Sequence, residues 1–148
     1  MKTKITCVKT LEFDTAHRVM NHESKCANLH GHRYKAEIHA CAPDLDHIGR
    51  VIDFSVIKSE VGSWIDNFWD HTSIIYEKDT STIEALYKIP RNKEFFISNF
   101  NPTAENMAKY LLLEVCPRLL ASYKIIVTKV VIHETPTCFA EAILDEKI

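Results

Sequence analysis

The order of hydrophobic patterns along the chain predicts an α+β fold: an antiparallel four-stranded sheet with two helices on one face, in the order β-β-α-α-β-β. Three observations predict it. Hydrophobic residues alternate near both ends of the chain, helical spacing begins after Asp53, and a second helical stripe follows Pro102. The 148 residues suffice for one domain with a hydrophobic core, so we expect a single domain over residues 1–148.

Four strands are predicted, two at each end of the chain. Residues 4–13 alternate between apolar and polar side chains, and residues 30–42 alternate again. Residues 124–134 are rich in isoleucine and valine, which favour strands. Pro136 interrupts this pattern, and residues 137–144 form the last predicted strand.

Two helices are predicted between the strand pairs. Apolar residues three or four apart over residues 55–69 are typical of an amphipathic helix. Thr103 is a suitable N-cap for the second helix, which Pro117 is expected to end or kink. Residues 72–101 have no sustained period, so we expect a loop with short elements there.

Composition excludes several classes of function. The net charge of −2 argues against a protein that binds nucleic acid through its phosphates. No apolar stretch approaches the ~20 residues of a membrane span, and the first residues do not form a signal peptide, so a cytoplasmic protein is expected. The five cysteines are odd in number, widely spaced and without a Cys-x-x-Cys pair, which favours reduced thiols.

The strongest chemical feature is His30-Gly31-His32 at the start of a predicted strand. Residues two apart on a strand face the same side, so both imidazoles can reach one ion, and Gly31 leaves room between them. His17 ends the preceding strand, and antiparallel pairing would bring it close; His22 in the connecting loop is the competing third ligand. Three histidines with an open position are typical of catalytic Zn²⁺.

Cys26 is the candidate reactive thiol, because it lies in a polar loop four residues before His30. Two other interpretations remain open. In the first, the protein is not catalytic and Cys26 is the fourth ligand of a structural zinc. In the second, the protein is a three-histidine metal hydrolase that acts on simple esters or peptides and for which Glu134 is dispensable.

Several sequence blocks follow one another along the chain: Phe13-Asp14-Thr15-Ala16-His17, Cys26-Ala27-Asn28-Leu29-His30-Gly31-His32, Val51-Ile52-Asp53-Phe54, Trp69-Asp70-His71, Pro102-Thr103-Ala104-Glu105-Asn106 and His133-Glu134-Thr135. Together they resemble the 6-pyruvoyltetrahydropterin synthase family, and more narrowly its queuosine-pathway branch, 6-carboxytetrahydropterin synthase. Only residues 72–100 lack a clear counterpart. The resemblance implies the tunnelling fold and homo-oligomers, trimers or hexamers, with active sites between subunits.

The resemblance also implies a substrate and residue roles. The substrate is a small-molecule pterin triphosphate, 7,8-dihydroneopterin triphosphate, whose side-chain hydroxyls would meet Zn²⁺ on His17, His30 and His32. Cys26 corresponds to the catalytic cysteine that serves as a general base. Asp70 and His71 correspond to a catalytic dyad, and Glu134 to the residue that anchors the pterin; Thr103 and Glu105 are expected to help enclose it.

Three branches of the family compete as the specific function. The three residues between Cys26 and His30 resemble the queuosine branch, whereas biopterin enzymes, which eliminate triphosphate to give 6-pyruvoyltetrahydropterin, have a longer spacer. A third branch replaces the cysteine with a glutamate and feeds folate synthesis. Glu23 lies close to Cys26 in the sequence, so this branch stays an alternative. Lys25, Arg18 and Arg33 are candidates for binding the triphosphate.

Overall fold

Six strands form one mixed sheet in the order β4-β3-β1-β2-β5-β6. The computed structural model describes Met1 and residues 3–145. Its strands are β1 (Thr6–His17), β2 (His30–Cys41), β3 (Thr72–Tyr76), β4 (Phe96–Ser98), β5 (Ile126–Thr135) and β6 (Cys138–Ile143).

The centre of the sheet is the long antiparallel pair β1 and β2. The register runs from Thr6 opposite Cys41 to His17 opposite His30. The strand ends that carry the histidines therefore lie side by side at one end of this strand pair. β5 pairs antiparallel with β2, and β6 with β5. Period-two alternation places one side chain in two on the helix-covered face, where Phe13 and Tyr34 are fully buried and stack with ring centroids 5.3 Å apart.

Two long helices complete the core. The first covers residues 54–68 as Phe54–Ile57, a π-helical turn Lys58–Gly62 and Ser63–Phe68, and Asp53 caps it by accepting from the Ser55 amide. The second covers residues 104–120 in the same manner and is capped by Thr103. Its parts are Ala104–Tyr110, a π-helical turn Leu111–Val115 and Cys116–Leu120. Apolar stripes of both helices belong to the same buried cluster as the sheet.

The α+β class and the β-β-α-α-β-β framework are confirmed, but the strand count is higher than predicted. Strands β3 and β4 extend the sheet beyond β1 and are parallel, so the sheet is neither four-stranded nor wholly antiparallel. A short helix, Thr80–Tyr87, lies between them. These elements fall within the segment expected to hold short elements. At five and three residues, β3 and β4 are too short for periodicity to reveal them.

Pro117 does not end the second long helix. The helix continues to Leu120, and Pro117 lies at the start of its final segment, directly after the π-helical turn. A π turn shifts the hydrogen-bond ladder by one residue, which lets the helix accommodate a residue that has no amide proton. Along the described part of the chain, no helix is long and apolar enough to cross a membrane.

Candidate active site

Three histidines meet at the end of the β1–β2 pair. His17 is the last residue of β1, while His30 and His32 open β2, and all three share the face that Tyr34 and Phe13 occupy further along. Gly31 lies between the two β2 histidines, where an added Cβ would come within 3.1 Å of the Thr15 carbonyl oxygen. The close approach of the two strands therefore requires glycine at this position.

The ring nitrogens of these histidines converge as metal ligands do. One nitrogen from each lies within 4.8 Å of the others, and the Nε2 atoms of His17 and His30 are 3.2 Å apart. His17 Nδ1 donates to the Pro102 carbonyl and His30 Nδ1 to the Asn28 carbonyl, each at 2.6 Å. Because backbone carbonyls hold both Nδ1 protons, both Nε2 atoms keep a free lone pair. The donor set therefore fits a metal ion that prefers imidazole.

Burial keeps the imidazoles of His17 and His32 in the neutral state, which is the form that can bind a metal. Burial lowers the pKa of His17 to about 4, against a smaller upward contribution from the Pro102 hydrogen bond, and the nearby His30 and His32 lower it further. Burial also lowers the pKa of His32. Both imidazoles are therefore neutral near pH 7, which is the state that binds a metal.

A cavity of about 330 Å³ opens beside the histidines, and four of the predicted site residues line it. Cys26 and Glu134 contribute the reactive groups of its wall, while Thr103 and Glu105 come from the start of the second long helix. Glu134 Oε1 lies 3.9 Å from His17 Nε2, so the cavity adjoins the converging nitrogens of the histidine group. The other lining residues are Val19, His22, Ala104, Cys138, Phe139 and Ala140.

Asp70 and His71 form the predicted pair but lie elsewhere. Asp70 Oδ2 accepts from His71 Nδ1 at 2.6 Å, directly after the first long helix, and His71 has a positive φ of 54°. Burial alone would raise the pKa of Asp70, but the Asp14 amide and His71 outweigh it and lower that pKa. The pair therefore lies in the turn between this helix and β3.

The dyad and the three histidines lie on opposite faces of the sheet. A ligand atom of Asp14 lies within 4.8 Å of those of Asp70 and His71. Asp14 stands between the buried Phe13 and Thr15, so its side chain projects from the opposite face. The His71 side chain is 74% exposed. A single chain therefore does not bring the dyad to the cavity that holds Cys26.

The alternative candidates have other surroundings. His22 lines the cavity and accepts from the Ser24 amide, but it is not part of the three-histidine group. Arg33 pairs with Asp14 at 2.8 Å, and Arg18 pairs with Asp79 at 2.7 Å, so both charges are already matched by carboxylates. Lys25 is exposed on the 3₁₀ turn that carries Cys26.

Two residues near the site have surroundings that the sequence does not predict. Tyr34 is buried beside His17 and His32 with no hydrogen-bond partner for its hydroxyl among the described residues. Burial raises the pKa of Tyr34, and Glu134 and Cys26 raise it further. Asp79 is 2% exposed. Its position in a segment without periodicity hid it, although an aspartate before Thr80-Ser81-Thr82 is a recognisable helix N-cap.

Comparison with known proteins decides the family. The sequence model of the family described as "6-pyruvoyl tetrahydropterin synthase" matches residues 6–143. The chain belongs to this family. A 6-carboxy-5,6,7,8-tetrahydropterin synthase from Rickettsia bellii is 40% identical to the protein over 137 residues, covering 93% of this chain and 99% of the relative. The expected enzyme family is thus confirmed.

Solved structures agree on the fold. An uncharacterized protein from Wolinella succinogenes superposes with a TM-score of 0.79 at 23% identity, covering 97% of this chain and 100% of the other. The 6-pyruvoyl tetrahydropterin synthase of Caenorhabditis elegans superposes with a TM-score of 0.69 at 22% identity, covering 97% of both chains. The expected tunnelling fold is therefore confirmed.

Proposed function

We propose that the protein is a zinc-dependent 6-carboxy-5,6,7,8-tetrahydropterin synthase of queuosine biosynthesis. It converts 7,8-dihydroneopterin triphosphate to 6-carboxy-5,6,7,8-tetrahydropterin, acetaldehyde and triphosphate. The observation that carries the proposal is the cavity lined by a thiol, Cys26, and a carboxylate, Glu134, whose Oε1 lies 3.9 Å from His17 Nε2 of the three-histidine group. Relatives of similar length that are up to 41% identical are named 6-carboxy-5,6,7,8-tetrahydropterin synthases, which supports this choice of reaction.

Zn²⁺ is the ion that the three histidines are proposed to hold. Neutral imidazoles, carbonyl-held Nδ1 protons and converging Nε2 atoms are the usual arrangement for this metal. When bound, the ion supplies Lewis acidity, which polarises hydroxyl oxygens of a substrate side chain. The proposed set leaves out Cys26, so the thiol stays available for proton transfer.

Cys26 is proposed as the general base, and Glu134 as the pterin anchor. The thiol lies at the cavity wall, from which its sulfur can take a proton from the substrate side chain. A carboxylate accepts two parallel hydrogen bonds from the amino-pyrimidine edge of a pterin, which fixes the ring plane. Thr103 and Glu105 line the same cavity and are proposed to enclose the ring.

The dyad of Asp70 and His71 is proposed to act in the active site of a neighbouring chain, because within one chain it lies on the other face of the sheet. Open sheet edges support this assembly. β3 covers β1 only at residues 15–17, so the rest of that β1 edge is available, and β6 is the last strand at the other end. Joining these edges between copies would close the sheet into a ring, which fits the expected trimer or hexamer.

The proposed overall reaction balances with one water molecule. The three-carbon side chain divides into a carboxyl carbon that stays on the pterin and two carbons that leave as acetaldehyde. Triphosphate departs with its bridging oxygen. Two hydroxyl oxygens and one water oxygen supply the three oxygens of the carboxylate and the aldehyde. Oxidation of the first two side-chain carbons is balanced by reduction of a ring C=N bond and of the third carbon, which loses triphosphate and becomes the methyl group of acetaldehyde, so no external redox cofactor is needed.

The competing reaction is the formation of 6-pyruvoyltetrahydropterin. The three residues between Cys26 and His30 favour the carboxy branch. An anaerobic assay of the zinc-loaded protein with 7,8-dihydroneopterin triphosphate, read by mass spectrometry, separates the two. Acetaldehyde with 6-carboxytetrahydropterin supports the proposal. A 6-pyruvoyl product without acetaldehyde would overturn the assignment to the carboxy branch, while the proposed active site would stand.

A Cys26→Ala variant separates the enzyme from a structural zinc protein. We expect it to keep its zinc and lose turnover, because three histidines suffice as ligands. Loss of zinc would instead make Cys26 a fourth ligand. Cys41→Ala, at the far end of β2, is the matched control and should keep both zinc and turnover.

A cytoplasmic location of the protein stays a prediction.

A further inference from the structure

An ion pair with a buried carboxylate lies next to the loop that carries Cys26. Asp79 is 2% exposed, and its Oδ2 accepts from a terminal nitrogen of Arg18 at 2.7 Å. Arg18 directly follows the proposed metal ligand His17. Burying a carboxylate is costly unless it is paired and hydrogen-bonded, and here the guanidinium provides both.

The same guanidinium reaches the Cys26 loop with its other side. Arg18 Nε donates to the Ala27 carbonyl at 2.8 Å, one residue beyond Cys26. The Val19 amide donates to the Cys26 carbonyl at 3.0 Å. Two consecutive carbonyls around the thiol are therefore held by two consecutive residues after His17. The Arg18 bond is the one that depends on a side chain.

Asp79 is itself held by the segment between β3 and β4. Its amide donates to the Tyr76 carbonyl at 2.9 Å, and its Oδ1 caps the helix Thr80–Tyr87 by accepting from the Thr82 amide at 3.4 Å. The remaining oxygen, Oδ2, is thus directed at Arg18 by a fixed backbone. The carboxylate sets the plane of the guanidinium, and that plane sets where Nε meets the Ala27 carbonyl.

We propose that Asp79 and Arg18 are positioning residues, which hold the Cys26 loop so that the thiol faces the substrate cavity. This inference rests on the proposed function, since it assigns the role of orienting the general base. It also gives a function to the segment after the Asp70–His71 dyad. Asp79 of that segment orients Arg18, and Arg18 holds the loop that carries the reactive thiol.

Arg18→Lys is the sharpest test. Lysine keeps the positive charge beside Asp79, but its single ammonium lacks the planar fork that serves Asp79 and the Ala27 carbonyl together. We expect kcat to fall by roughly 10- to 100-fold with KM nearly unchanged, as for a misplaced catalytic group. Zinc content should stay at the wild-type value, because no ligand is altered.

Amide hydrogen exchange gives a readout that does not depend on turnover. In both Arg18→Lys and Asp79→Asn, exchange should speed up in the peptide covering residues 18–29 and stay unchanged in β5. Uniform acceleration across the protein would mean a merely structural pair and would overturn the inference. Asp79→Glu keeps a carboxylate at this position, so its kcat should be higher than that of Asp79→Asn.

Glu94→Gln is the matched control. It removes the carboxylate of an exposed pair with Arg91, 3.1 Å apart, in the same inserted segment but away from the Cys26 loop. We expect wild-type turnover and exchange. If Arg18→Lys also shows wild-type kcat and loop exchange, the positioning role is wrong. If the wild-type protein itself does not turn over the pterin, the proposed function fails, while the exchange result still decides whether the pair holds the loop.

Discussion

The low pKa of His17 makes the metal-free protein sensitive to mild acid. Burial lowers that pKa from 6.5 to about 4, and the imidazole is 1% exposed. The unfolded chain therefore binds this proton more tightly than the folded chain does. Stability contributed by neutral His17 is present above the unfolded pKa and is lost as the pH falls towards the folded pKa.

The magnitude follows from the difference between the two pKa values. Going from 6.5 to about 4 is a change of about 2.5, which at about 1.4 kcal/mol per unit gives about 3 kcal/mol at full protonation. Between about pH 7 and about pH 5 the loss is about 2 kcal/mol. The pKa values of Asp70 and Asp79 are also lowered, so these carboxylates remain charged at the lower of these two pH values.

Urea unfolding of chelator-treated protein at the two pH values measures the effect, with His17→Gln as the comparison. Glutamine can donate to the Pro102 carbonyl but has no group that titrates in this range. The wild-type free energy of unfolding should fall by about 2 kcal/mol more than that of the variant. Equal losses in the two proteins would refute the reasoning. Saturating zinc should remove much of the difference, because the bound metal excludes the proton.

Three further predictions concern the same region. Gly31→Ala should destabilise the protein by roughly 1–3 kcal/mol in urea unfolding, because the added Cβ lies 3.1 Å from a backbone oxygen that cannot easily move. Gly62→Ala, whose nearest contact is a leucine side chain at 3.4 Å, should be tolerated, and similar losses in the two variants would contradict this explanation. Tyr34→Phe should leave the metal-free protein as stable or stabilise it by about 1 kcal/mol, a rise of a few degrees in Tm, since it removes a buried hydroxyl without a partner among the described residues. A clear drop in Tm would mean that this hydroxyl makes a stabilising bond. Glu134→Gln should raise KM for the pterin triphosphate roughly 10- to 100-fold through loss of a charged bidentate acceptor, at unchanged zinc content; an unchanged KM in steady-state kinetics would place the anchor elsewhere.

The strands and the group of three histidines could be predicted because their patterns are local. His30 and His32 are two residues apart, so any strand places them on one face, and pairing with the preceding strand brings His17 opposite His30. The long helices were predictable because three or four turns of apolar spacing leave a clear period. Strands β3 and β4 were not, because pairing with β1 and with each other defines such short elements.

The continuation of the second long helix past Pro117 was also out of reach. A proline inside a helical pattern normally predicts that the helix ends or kinks there. No residue pattern predicts the π-helical turn that lies just before Pro117. The ion pair of Asp79 and Arg18 joins residues 61 apart in the chain, so no local pattern connects them. Contacts of this kind exist only once the sheet and the inserted segment have come together.

By itself, the sequence determined the fold class, the histidine set and the family resemblance, because strand parity, helical period and short motifs are properties of neighbouring residues. The tertiary structure alone decided what surrounds those residues. It placed the Pro102 carbonyl on His17, gathered Cys26 and Glu134 around one cavity, and put the Asp70–His71 dyad on the other face of the sheet. The physical reason is that the packing of distant segments sets burial, hydrogen-bond partners and the choice of face.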